Sequence, residues 1–86
     1  MDTTEDPRNL VKRVRLREVW REVTGLTQAG AAARMGISQS AVSQYLNGNL
    51  ELNTDAVISF ARALNVYPYV IDPALDWSLF IRPTRA

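Results

Sequence analysis

The sequence predicts an all-α protein: a compact bundle of about five short helices with a short apolar C-terminal extension. Three observations predict it. Apolar residues recur at i, i+3, i+4 and i+7 in two stretches, Leu16-Val19-Trp20-Val23 and Val57-Phe60-Ala61-Leu64, the period of a helix with one buried face. Between them, TQAGAAARMGISQSAVSQYLNG (27–48) opens twice on a hydroxyl residue and stops twice at a glycine, the signals of two consecutive short helices. The length of 86 residues suits one domain. A chain of this size buries only about 60% of its unfolded surface, so it gains from association.

Residues 1–6 are polar and acidic and read as a disordered lead-in. Pro7 fits the first turn of a helix, where its missing N–H costs nothing, and that helix extends to about residue 23. Its second half carries the Leu16 face. Leu10, Val11 and Val14 point elsewhere, and one helix cannot bury both sets against a single neighbour. Either its first turns pack elsewhere or it begins late. Residues 8–21 also hold Arg8, Lys12, Arg13, Arg15, Arg17 and Arg21 against Glu18 alone. Arg17 and its neighbours have two readings, contact with phosphate or a solvated helix face.

Thr27 is the expected N-cap of a second helix over Gln28–Met35, and Gly36 its left-handed stop. Four alanines make this helix small-sided, while Gly30 within it costs about 1 kcal/mol relative to Ala. Arg34, the only charge between Leu26 and Leu50, is either a structural cation in the last turn or a phosphate contact. Ile37 is an apolar plug, and Ser38 caps a third helix over Gln39–Asn47, ended by Gly48. That helix has two unlike faces. Ala41, Val42 and Tyr45 lie opposite Gln39, Ser40, Ser43, Gln44 and Asn47, with Leu46 at the border. Amides and hydroxyls without charge are the donors and acceptors that base edges in a major groove require. They also suit a merely solvated face. Two short helices joined through Gly36 and Ile37, the polar stripe on the second, form the helix-turn-helix arrangement.

A fourth helix starts at Asn53 or Thr54, with Asp55 favouring its dipole, and ends at Asn65. Residues 68–71 fit a short fifth helix or a turn, and Asp72-Pro73 opens another. The organisation expected is therefore lead-in 1–6, domain 7–75 and tail 76–86. In the tail Trp77, Leu79, Phe80 and Ile81 crowd together, and such a segment is not expected to stay solvated. It either folds over its own core or makes a dimer contact; the dimer contact is the preferred reading.

From Leu26 through Leu75 the chain resembles the Cro and lambda-repressor type of helix-turn-helix domain. The resemblance rests on joint spacing: Gln28 opening one helix, Ala32, Gly36, Ile37, then Gln39-Ser40 opening the next, Val42 and Asn47-Gly48. It implies double-stranded DNA as the partner, with base readout by Gln39 and Ser40. Ser43 and Gln44 join them by helix geometry. Gln28 is implied to brace Gln39 and touch phosphate, with Asn47 and Asn53 as further phosphate contacts; Arg17 and Arg34 are candidates for that role. The acidic start MDTTED has the wrong sign for the DNA-wrapping arm of the lambda repressor, so no arm contact is carried over.

Composition excludes other classes. There is no Cys and no His, which removes thiolate and imidazole metal sites and the commonest general base. No apolar run approaches the ~20 residues of a membrane span, and no secretory signal opens the chain. No nucleophile-base pair or phosphate loop suggests an enzyme, and no cofactor is expected. The expectation is a cytoplasmic regulator of phage or prophage type. It binds a palindromic operator as a homodimer and, with no sensor domain in these residues, represses by occupancy. The alternative is an antitoxin-like protein of the same fold whose tail binds a protein partner.

Overall fold

The computed structural model describes residues 5–23 and 25–77. Four α-helices follow in order: α1 (Pro7–Glu22), α2 (Gln28–Met35), α3 (Gln39–Asn47) and α4 (Thr54–Leu64). A 3-10 turn, Pro68–Val70, comes after them, and no strand occurs among the described residues. The fold class is as expected with one helix fewer. The segment at 68–71 makes only this single turn, and Asp72-Pro73 leads into further turns. The Trp77 indole N–H donates back to the Asp72 carbonyl oxygen, which closes that segment as a loop.

Each helix begins on a side-chain cap. Thr27 Oγ1 accepts from Gly30 N at 2.9 Å, Ser38 Oγ from Ala41 N at 3.0 Å and Asn53 Oδ1 from Ala56 N at 2.9 Å. Asp6 does the same for α1, accepting from Arg8 N at 2.8 Å. The acidic lead-in therefore needs correction: Asp6 caps a helix, and Glu5 accepts from Asn9 and Arg13. Residues 1–4 lie outside the described residues. Gly36 and Gly48 stop α2 and α3 at φ 72° and 85°, and Asn65 takes the same left-handed conformation after α4 at φ 61°.

Phe60 is the centre of the core. It is fully buried, with Tyr45 of α3 edge-on at 5.4 Å and Trp20 of α1 tilted at 6.2 Å. Val57, Ala61 and Leu64 complete the α4 stripe, and Leu16, Ala32, Val42, Leu46, Leu52 and Ile71 close around it. Trp77 joins this cluster at 5% exposure, the fold-back outcome for that residue, and so offers little surface to a second copy. Leu79, Phe80 and Ile81 lie outside the described residues.

The conflict in α1 resolves by exposure. The helix does begin at Pro7, and Leu10, Val11 and Val14 are left 42%, 53% and 43% exposed. Polar groups take the inner side of these first turns. Asn9, only 5% exposed, accepts from Leu52 N at 2.7 Å. Lys12 Nζ donates to the Leu52 carbonyl at 2.9 Å. Leu52, deep in the core, thus has both backbone groups satisfied from α1, as a buried peptide requires.

Candidate nucleic-acid interface

The outer face of α3 is presented by its inner face. Val42 and Leu46 are buried, and the Tyr45 ring is held against Phe60. These contacts fix the rotation of the helix and turn Gln39, Ser40, Gln44 and Asn47 outward, all exposed, with Ser43 half-buried. The stripe is ordered by bonds one turn apart: Gln44 Nε2 donates to Ser40 Oγ at 3.2 Å, and Asn47 Nδ2 to Ser43 Oγ at 3.4 Å. Gln39 and Ser40 occupy the N-terminal end, where two first-turn amides have no partner within the helix. A neutral row with a partly positive end is chemically fitted to base edges flanked by phosphate.

The two short helices pack as a unit through the Gly36 turn, where Ile37 N donates to the Ala32 carbonyl at 3.1 Å. Gln28, the first residue of α2, lines an open hollow of about 250 Å³ with Arg17, Trp20, Arg21 and Leu46. Two guanidinium groups and the start of a helix share this hollow, a combination that attracts an anion. Gln28 and Gln39 form no hydrogen bond with each other among the described residues, so the expected brace is not made in the free chain. Gly30 has a local reason: a Cβ there would stand 3.3 Å from the capping Thr27 Oγ1 and 3.4 Å from Leu26 Cδ1.

The remaining predicted contacts separate. Arg17 Nε donates to the Leu46 carbonyl at 2.9 Å and its Nη2 to Asn47 Oδ1 at 3.3 Å, so it belongs to the α3 end of the molecule. Arg34 instead caps the C-terminus of α4, with Nη1 donating to the Ala63 carbonyl at 2.7 Å. That is the structural reading of Arg34. Asn53 uses its Oδ1 in the α4 cap and stays exposed after Leu52.

Sequence reasoning missed a polar ladder along α1. Asn9, Arg13 and Arg17 stand one turn apart, with Glu5 preceding them at the same interval, and all four meet the end of α3 or the segment after it. The fork of Arg13 grips Glu5, with Nη2 2.8 Å from Oε1 and Nε 3.1 Å from Oε2. Glu5 also lies against Gly48, where an added Cβ would come within 3.0 Å of its Oε2. The i, i+4 spacing starting at residue 5 was the available signal. The hydrogen bond from Arg13 holds the Glu5 carboxyl below the usual range, and the Arg8 amide does the same for Asp6.

Two capped short helices, a glycine turn and an outward amide-hydroxyl stripe on the second define a helix-turn-helix domain. The Helix-turn-helix family model matches residues 20–71. The chain belongs to the Cro/CI-type helix-turn-helix family. It is similar to the restriction-modification controller protein C.AhdI from Aeromonas hydrophila, at 32% identity over 72% of this chain and 94% of that one, with a TM-score of 0.61. An XRE-family like protein from Pseudomonas syringae pv. tomato matches at 31% identity over 73% of this chain and 79% of that one, with a TM-score of 0.62. The SOS-response transcriptional repressor LexA from Eubacterium rectale shares the fold at 18% identity and a TM-score of 0.66, over 98% of this chain and 86% of that one. A comparison with curated proteins finds no match. No helix among the described residues is long and apolar enough to cross a membrane.

Proposed function

We propose that this chain is a sequence-specific regulator of transcription that places α3 in the major groove of double-stranded DNA. The observation that carries this reading is the exposed, uncharged stripe of α3. Gln39 and Ser40 lead into the groove, and Ser43 and Gln44 follow along it. A Gln can pair bidentately with adenine and a Ser with several bases. Gln28, Arg17, Asn47 and Asn53 flank the stripe as phosphate contacts, and the spare amides at the starts of α2 and α3 add neutral grips. Family membership and the likeness to a restriction-modification controller support the same reading.

One such module discriminates by about 1–3 kcal/mol per base contact, too little to single out one site in a genome. A homodimer on a palindromic operator doubles the readout, with half-sites about one helical turn apart. The regulator acts in the cytoplasm as a phage- or prophage-type repressor that covers a promoter and excludes polymerase. The test is selection of bound duplexes from a random pool, followed by sequencing. An inverted repeat with half-sites about 10 base pairs apart is the expected product. A single unrepeated half-site would exclude the symmetric dimer. Recovery of nothing above background by folded protein would exclude DNA reading altogether.

A further inference from the structure

The Glu5–Arg13 pair sits where the proposed DNA backbone would pass. A nine-residue helix is roughly 13 Å long, slightly more than the ~12 Å width of a major groove. With Gln39 and Ser40 toward the bases, the other end of α3, Asn47 and Gly48, meets the phosphate wall. Two arginines of α1 stand at that end. Arg17 is fixed on the Leu46 carbonyl. Arg13 Nε is 3.1 Å from the Cβ position of Gly48, and its donors point to one carboxylate.

That carboxylate is held as an anion in a receptor is held. Arg13 grips it through Nε and Nη2, Asn9 Nδ2 adds a third donor, and both side chains are only about a fifth exposed, 21% for Arg13 and 19% for Glu5. Phosphate oxygens satisfy the same donors with the same geometry. Glu5 also precedes the Asp6 cap, so it lies outside the backbone bonding of α1 and can leave without unwinding it.

Resting on the DNA-binding reading above, we infer that Arg13 is a ligand for DNA phosphate, and that Glu5 occupies it in the free protein as an internal competitor. Glu5 then acts as an electrostatic gate. Backbone contact must displace Glu5 before Arg13 adds to affinity, which damps binding to sequences that offer α3 little in return.

The test is a double-mutant cycle on the full chain, read by fluorescence anisotropy against a mixed-sequence 20-base-pair duplex at several KCl concentrations. Glu5→Gln is expected to bind about three- to tenfold tighter, with the slope of log K against log salt steeper by about one. In an Arg13→Ala background the same substitution should give no gain. Glu5→Ala should repeat the result, and thermal unfolding checks that each variant is folded. A merely structural pair predicts the opposite sign, since its loss would loosen the end of α3 and weaken binding. If Glu5→Gln binds no tighter while the unaltered chain binds DNA, the gate is overturned alone. A gain that persists without Arg13 overturns it too, being only the removal of a negative charge. If the unaltered chain binds no duplex at any salt, the DNA-binding reading falls and the gate with it.

Discussion

Ser38 and Gln39 are adjacent, yet they answer to different demands. Ser38 Oγ accepts from Ala41 N and contributes to the stability of α3. Ser38→Ala should lower folding stability by about 1 kcal/mol, read as a shift in the urea midpoint at unchanged slope. Gln39 is exposed and contributes little to folding. Gln39→Ala should leave the midpoint in place and weaken operator binding by about 1–3 kcal/mol, with relaxed preference at one base. Selected sequences that keep their full preference with Gln39→Ala would take this side chain out of the readout. Arg34, a residue with two sequence readings, makes a contact that fits the structural one. Its donation to the Ala63 carbonyl serves the end of α4, where a cation also meets the negative pole of the helix.

Among the elements, α1 does more than cover the core. Its inner side changes from polar at Asn9 and Arg13 to apolar at Leu16 and Trp20, and the polar half holds the segment that leaves α3. Arg17 belongs to this function through the Leu46 carbonyl and, in the proposed reading, to a phosphate contact as well. Arg17→Ala should weaken binding to all sequences alike and flatten the salt dependence by about one unit. It should also lower the melting temperature, because the Leu46 carbonyl loses its donor; a sequence-selective loss would contradict the phosphate assignment. The N-terminal segment adds a pH dependence. Glu5 and Asp6 both have lowered pKa values in the fold, so each stabilises it above its ordinary pKa and ceases to as pH falls through the lowered value. Unaltered chain and Glu5→Gln should therefore differ in melting temperature at neutral pH. That difference should shrink once the pH falls below the ordinary glutamate range and close as it passes through the lowered value. A gap that is the same at pH 3 and pH 7 would mean that Glu5 acts other than by its charge.

For the whole molecule, two surfaces are the ones to test for assembly. Trp77 is buried in its own core, so the dimer contact proposed for the tail rests on Leu79, Phe80 and Ile81. Removal of residues 78–86, with Trp77 kept, should convert a sedimenting dimer to a monomer. An unchanged mass would place the contact elsewhere, and the exposed Leu10, Val11 and Val14 face of α1 is the next surface to test by charge substitution. Phe60 ties the core to the outer face of α3, since the ring that centres the core also sets the rotation of that helix through Tyr45.

The bounds of α2, α3 and α4, their caps and the stripe of α3 were legible in the residues alone. Helix period, capping and glycine stops are local physics, fixed within a few positions along the chain. The family was legible for the same reason, because its motif is a spacing. Other features needed the fold. Whether α1 started late, what Arg34 and Trp77 touch, and why Glu5 should meet Arg13 all depend on packing that the local sequence does not show. Lys12 meets Leu52 and Arg17 meets Leu46 only once α1 lies across the end of α3. The sequence by itself determined the two helices of the motif, the helix at α4 and which face of the third is polar. Tertiary packing alone decided which cations satisfy backbone carbonyls and which one is gripped by a carboxylate, since burial and partner choice are properties of neighbours that no local spacing encodes.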